Sequence, residues 1–242
     1  MPTYGGGKCR LGKEIYEIIK KIEKKYNFQG DYFEPFCGLL GVGIHFAKEN
    51  RKVIACDANK NLILMWNKLK KGWNLPEEGC TKIEYDKLRQ SKRSSAKKGF
   101  FGIACAYSGI FFAGYRLDDS KGNNFFKRTR DGINKMVPYL KNIDFLSGAS
   151  YDSFVPKGLT IYCDPPYKNN KFNCQYFNDF DHEKFWNIMR EWSKDNLVLI
   201  SEYSAPKDFK VIWMKEMKTT YRNQSKNRIE KIFIFEDSYI RR

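Results

Sequence analysis

Histidine is nearly absent: the 242 residues hold only His45 and His182, far apart along the chain. Two isolated imidazoles are a poor basis for a histidine-ligated metal site or a serine–histidine hydrolase, and no metal is expected. Cysteine is commoner but unorganised, with seven residues (9, 37, 56, 80, 105, 163 and 174) and no Cys-x-x-Cys pair. An odd, scattered set argues against a disulfide frame or a zinc site and for reduced, structural thiols. No apolar run approaches the roughly 18 residues of a membrane span. The opening stretch "MPTYGGGKCRLGKE" has no apolar signal core, so an intracellular, non-secreted protein is expected. The Gly-Lys-Ser/Thr of a phosphate loop is also missing, which removes support for nucleoside triphosphate hydrolysis.

Apolar residues make up 42% of the chain and aromatics 16%, enough for a packed core and against wholesale disorder. The length suits one large domain, or one domain carrying an insertion. Net charge is +16 and unevenly placed. Residues 68–142 hold 17 Lys and Arg against 7 Asp and Glu, whereas the flanks contribute only +4 and +2. An excess concentrated in under a third of the chain points to a phosphate-binding face more than to a generally lysine-rich surface.

The pattern of elements predicts an α/β fold. "GKEIYEIIKKIEKKY" sets Ile15, Ile18, Ile19 and Ile22 on one helical stripe. "DYFEPFCGLLGVGIHFAKEN" reads as a strand over 32–36, a glycine turn over 37–41 and a helix. "RKVIACD" is a second strand ending at Asp57, and "NKNLILMWNKLKKG" a further helix. Strand, helix, strand, helix implies parallel pairing through crossovers. From about 69 to 142 this rhythm breaks down into charged sequence around one uncharged block, "GFFGIACAYSGIFFAGY". Alternation returns with "LTIYC", "FDHEKFWNIMREWSKD", "LVLISEY" and "KIFIFE", read as strand, helix, strand and strand. The expected organisation is one α/β domain formed by 1–68 and 143–242, interrupted by a basic insertion over 69–142.

Two motifs carry chemistry. The turn with Gly38, Gly41 and Gly43 lets a ligand approach the backbone and aims a helix N-terminus at it. Asp57 follows Gly38 by 19 residues at the tip of the next strand, where a carboxylate can accept hydrogen bonds from ribose hydroxyls. Together they point to an adenosine-bearing cofactor. The second motif is "CDPPY", with Asp164, Pro165, Pro166 and Tyr167 directly after a strand. In an open parallel sheet that position is the ligand-binding rim. The prolines fix the backbone, so that a carboxylate oxygen and a carbonyl can hold the two hydrogens of one amino group. Tyr167 offers a face on which a base stacks. Such acceptors aim the lone pair of a poorly nucleophilic ring amine at an electrophile without a strong base.

With these residues the chain resembles the DNA amino-methyltransferases, and within them the Dam-like, D12 class adenine (N6) methylases with the glycine motif ahead of the catalytic one. "YGGGKCRLGKEI" is similar to the family's opening cofactor motif, which implies that Tyr4 and Lys8 contact S-adenosylmethionine. "FEPFCGLLGVG" resembles its glycine motif, with Glu34, Pro35, Phe36 and Gly38 in place. "ASYDSF" resembles the segment whose Ser150 and Tyr151 would border the cofactor's adenine, and "CDPPY" is similar to the catalytic motif in its aspartate, adenine-type form. The family's second glycine is Leu40 here, with Gly41 beside it as a substitute. The resemblance implies a Rossmann-like, S-adenosylmethionine-dependent fold in which Asp57 and Asp164 also border the cofactor and the insertion reads DNA. A bias toward Lys, Asn, Ile and Phe fits an AT-rich genome, a viral or phage one included.

Inside the insertion, "SKRSSAKK" (Lys92, Arg93, Lys97, Lys98) and "FKRTR" (Lys127, Arg128, Arg130) can neutralise phosphates. The block between them supplies Tyr107, Phe111, Phe112 and Tyr115, suited equally to filling the gap left by a flipped base and to a buried hairpin core. The resemblance implies a target-reading arginine after this block, and "YSGIFFAGYR" keeps only the family's glycine there, with Arg116 displaced. After the catalytic motif come Tyr176, Phe177 and Phe180, suited equally to walling a flipped base and to core packing. "TTYRNQSKNRIEKIFIF" reads as a polar loop before the last strand, and the resemblance implies that this loop brings Arg222 and Asn227 toward double-stranded DNA. The leading expectation is methyl transfer from S-adenosylmethionine to the amine of a flipped adenine, for self-protection beside a restriction enzyme or for genome marking. Transfer to cytosine or RNA, and a methylase-derived DNA-binding protein without turnover, remain as alternatives. Oligomeric state and target sequence are open.

Overall fold

A computed structural model describes residues 7–118, 122, 124–148, 150–168, 180–221 and 224–237. Its centre is a seven-stranded sheet. The strands are β1 (Tyr32–Glu34), β2 (Val53–Ala55), β3 (Ile143–Phe145), β4 (Thr160–Cys163), β5 (Leu197–Glu202), β6 (Phe209–Tyr221) and β7 (Gln224–Phe235), in the order β3-β2-β1-β4-β5-β7-β6. β1 to β5 are parallel, and β7 enters antiparallel between β5 and β6. This is the expected Rossmann-like α/β arrangement, with an antiparallel pair completing one edge.

Strand side chains alternate between two cores. Tyr32, Val53, Tyr162, Leu199 and Ile232 enter the larger one, whereas Phe33, Ile161, Val198 and Phe233 enter the smaller. The larger core is covered by α1 (Gly12–Lys25), α2 (Gly43–Lys48) and α3 (Lys60–Lys70). In α1, Ile15 and Ile19 are fully buried, Glu14 occupies the first turn, and Lys24 and Lys25 the last, in keeping with the helix dipole. The side chain of Asn59 caps α3 by accepting the Asn61 N–H.

The stretch expected as an insertion contains α4 (Lys82–Gln90), α5 (Ala96–Ala104) and α6 (Phe125–Asn134). Thr81, Ser95 and Asn124 cap these helices. Tyr85, Phe100, Phe101 and Phe126 belong to the larger core, so the insertion helices are continuous with the sheet's own packing. The smaller core is closed by α7 (His182–Trp192), capped by Asp181, through Phe185, Met189 and Trp192.

The uncharged block 99–115 begins as α5, which leads into a loop closed by an antiparallel bridge between Ala106 and Tyr115. One expectation is corrected. The segment read as a polar loop before the last strand is strand up to Tyr221 and again from Gln224, part of the long β6–β7 hairpin.

One buried ion pair ties the layers together. Arg51 grips Glu23 of α1 with two nitrogens, at 3.0 and 2.7 Å, and also donates to Gly30 O and to Thr160 Oγ1. The Thr160 hydroxyl in turn donates to Glu23 at 2.6 Å.

Candidate active site

β1 lies between β2 and β4, so the residues that follow these three strands share one carboxyl edge. Chain order reverses there, and an open parallel sheet forms its ligand crevice at that switch point. Asp57 and Asp164 thereby come to either side of the glycine turn.

The turn is built around Asp57. Its Oδ2 accepts the Gly38 N–H and its Oδ1 the Asn59 N–H, both at 2.8 Å, while Trp66 Nε1 donates to Gly38 O at 3.0 Å. Burial pushes the Asp57 carboxyl upward, opposed by these two N–H groups. Gly38 has φ 45° and Leu40 has φ 55°. The side-chain-bearing Leu40 therefore adopts the left-handed backbone itself, a conformation that costs roughly 1–2 kcal/mol. Gly41 is not its substitute. A Cβ on Gly41 would lie 2.9 Å from backbone atoms of Lys8 and Cys9, and one on Gly12 would lie 1.8 Å from Gly41 O. These two glycines let the N-terminal segment lie directly on the turn.

Glu34 is almost fully buried, and its Oε2 accepts the Gly43 N–H at 2.8 Å. Burial drives its carboxyl well above the usual range. Pro35 O is 3.5 Å from the thiol of Cys56. The Phe36 ring meets Tyr151 at 5.2 Å, and both contact Phe180 and Phe185. Ser150 precedes a short turn and accepts the Ser153 hydroxyl through its carbonyl. Phe36, Ser150 and Tyr151 are thus gathered on the smaller-core side.

The Lys8 side chain crosses to the Asp-Pro-Pro-Tyr turn. Its ammonium donates to Asp164 Oδ1 at 2.6 Å, lies 3.7 Å from Glu230 Oε2 and sits 4.6 Å from the centroid of the Tyr167 ring. Burial works against this charge, but Asp164 and Glu230 outweigh it and the Lys8 pKa is raised. Burial also raises Asp164, against the pull of Lys8. Burial, then Asp164 and Glu230, hold the Tyr167 hydroxyl well above its ordinary pKa, and it donates to Glu230 Oε2 at 2.9 Å. Tyr203 packs edge-on against Tyr167 at 4.6 Å. Pro165 is buried beside Asp164 and Pro166 partly so.

Glu230, Tyr203 and Glu202 escaped the sequence reading. Glu202, 3% exposed, accepts the N–H of Lys168 at 3.2 Å and that of Tyr203 at 2.7 Å, and burial pushes its carboxyl up to about 7. A signal existed for Glu202, which ends the strand "LVLISE" after the apolar run "LVLI"; Glu230 lies between Ile229 and Lys231 in a mixed stretch that gives none.

On the insertion, Tyr107 is 48% exposed, and the Arg116 guanidinium lies between the rings of Tyr107 and Phe125, at 5.1 and 5.6 Å. Arg128 stacks on Phe125 at 4.5 Å. Lys92, Arg93 and Lys127 are exposed. Lys97 pairs with Glu84, Lys98 reaches Ser91 O, and Arg130 is engaged by Glu77 O and Asp131. Phe112 is buried, and Tyr115 donates to Cys80 O, so these two rings serve the core. Tyr4, Arg222, Tyr176 and Phe177 lie outside the described residues, as does the side chain of Asn227.

No curated protein gives a significant match to the chain. The family profile described as D12 class N6 adenine-specific DNA methyltransferase matches residues 4–149, from the N-terminal segment through the glycine turn and the insertion. The Asp-Pro-Pro-Tyr turn follows just beyond that span, on the strand adjoining β1. With well over half its length matched and a Rossmann-like sheet beneath the site, the chain belongs to the D12 class N6 adenine-specific DNA methyltransferases and is an adenine-specific DNA methyltransferase.

Proposed function

We propose that this enzyme transfers a methyl group from S-adenosylmethionine to the exocyclic amine of an adenine flipped out of duplex DNA. The observation that carries the reading is the meeting of Asp164 and Tyr167 with the Gly38–Asp57 turn across the β1–β4 seam, with Lys8 reaching from one to the other. The donor set suits the cofactor. Asp57 provides a carboxylate for ribose hydroxyls, Phe36 and Tyr151 provide ring faces beside an adenine, and Glu34, Pro35, Gly38 and Ser150 shape the backbone around it. Tyr4 joins this group, and Lys8 stands at its border with the target base.

S-adenosylmethionine supplies a methyl group on a positively charged sulfur, which leaves as a neutral thioether with the C–S bonding pair. The chain's task is alignment. Asp164 and the carbonyl at Pro165 accept the two hydrogens of the amine, Pro166 fixes the turn, and Tyr167 stacks on the ring. The nitrogen lone pair then points at the methyl carbon, and the proton released after transfer passes to Asp164 or to water. Burial raises the Asp164 carboxyl despite Lys8, which makes it a better acceptor for that proton. Flipping is required because an amine paired inside a duplex cannot reach a cofactor held in a crevice.

Residues 69–142 form the target-recognition region in this reading. Lys92, Arg93, Lys97, Lys98, Lys127, Arg128 and Arg130 contact phosphates, and Tyr107 with Arg116 approaches the bases. Arg222 and Asn227 are assigned to the same DNA contact. The test is to incubate the protein with labelled S-adenosylmethionine and unmethylated duplex DNA, then digest to nucleosides. Label on adenine is expected, abolished by Asp164→Ala while cofactor binding persists. Absence of label, or full activity in Asp164→Ala, overturns the assignment.

A further inference from the structure

Lys8 stands where the target is expected. On the proposed reading, on which this inference rests, the adenine amine hydrogen-bonds to Asp164 and its ring stacks on Tyr167. The Lys8 ammonium holds both places, at 2.6 Å from Asp164 Oδ1 and 4.6 Å from the Tyr167 ring centroid. A base cannot enter until that ammonium withdraws, and an unpaired buried ammonium is strongly disfavoured. Among the described residues, Glu230 is the other carboxylate paired with Lys8, at 3.7 Å. A movement on the order of 1 Å would bring the two to hydrogen-bonding distance.

The remaining neighbours leave Glu230 available for this. Glu202 is occupied by the backbone N–H groups of Lys168 and Tyr203. Arg228 donates to the Tyr203 hydroxyl at 3.2 Å. Glu230 is itself anchored by the Tyr167 hydroxyl at 2.9 Å, so the carboxylate that receives Lys8 also fixes the ring on which the base stacks. We propose that Glu230 is a positioning residue of the target-base site: it receives the Lys8 ammonium when the amine takes Asp164, and it holds the plane of Tyr167.

The test is a double-mutant cycle with Lys8→Met and Glu230→Gln. Glutamine keeps an acceptor for the Tyr167 hydroxyl and removes the charge. Single-turnover transfer from labelled S-adenosylmethionine to unmethylated duplex DNA is measured, with cofactor affinity by calorimetry. Glu230→Gln is expected to slow transfer about tenfold or more with cofactor affinity within about twofold of wild type. In the Lys8→Met background the same change should cost less than about threefold, and Glu230→Asp should restore part of the rate. A wild-type rate in Glu230→Gln, or an equal loss in both backgrounds, overturns the proposal. Loss of cofactor binding in Glu230→Gln also overturns it, because Glu230 would then act on the cofactor and not on the target-base site. Wild-type enzyme that labels no adenine is a failure of the underlying reading, visible before any variant is compared.

Discussion

Replacing Asp57 by alanine removes the acceptor of two backbone N–H groups, those of Gly38 and Asn59, each at 2.8 Å. Hydrogen bonds to a charged group contribute about 1.5–3 kcal/mol each. The gross loss is partly offset, because the desolvation that raises the Asp57 pKa disappears with the carboxylate. A net cost of about 2–4 kcal/mol is expected, which lowers Tm by roughly 5–15 °C in a domain of this size. Asparagine retains one acceptor and should cost about half as much. The same residue is proposed to hold the cofactor ribose, so the ligand response must change as well. Wild-type protein at a cofactor concentration of a hundred times Kd gains about 2.7 kcal/mol. That gain should shrink in Asp57→Asn and vanish in Asp57→Ala. Scanning calorimetry with and without S-adenosylmethionine measures both quantities. An Asp57→Ala protein that unfolds within about 2 °C of wild type and keeps the full ligand shift would refute the reasoning.

Gly12→Ala would place a Cβ 1.8 Å from Gly41 O and lift the Lys8 segment off the turn, so transfer activity should fall at least about a hundredfold in the label assay. Glu202, with its folded pKa near 7 against an ordinary 4.5, binds a proton more tightly folded than unfolded. Relative to Glu202→Gln, wild-type stability should therefore fall by on the order of 3 kcal/mol as pH rises from about 4.5 to about 7 and level off above, measured by denaturant titration across pH. Arg128→Ala should weaken duplex binding and reduce the slope of log affinity against log salt by about one, whatever the sequence bound.

The glycine turn, Asp57 and the Asp-Pro-Pro-Tyr turn were legible because each joins a short-range pattern to a strand end, and strand ends in a parallel sheet share an edge. Less legible were features set by pairing across the chain. β3 has three residues, too few for alternation to show. β6 mixes lysines with apolar residues, as an edge strand does, and its register shifts between Val211 and Trp213. Glu230 gains its place only because β7 inserts beside β5, which no local pattern announces. In the insertion, Gly99 packs α5 against α3, since a Cβ there would meet Asn61 O at 2.2 Å. By propensity alone a glycine reads as a helix breaker, and here it is the condition for close helix packing.

The seam between β1 and β4 joins Tyr32 to Thr160, with everything from α2 to β3 lying between them in sequence. During synthesis β1 and β2 emerge early and wait, one edge of β1 unpaired, until β4 appears. Glu23 and Arg51 wait with them for the Thr160 hydroxyl that completes their network. Such long-range closure makes the central pairing slow to form and leaves an apolar strand edge open to other chains meanwhile. The insertion helices, packed locally on α3, can cover part of the larger core during that interval. Protection of the nascent sheet would then fall to the same stretch that is proposed to recognise DNA.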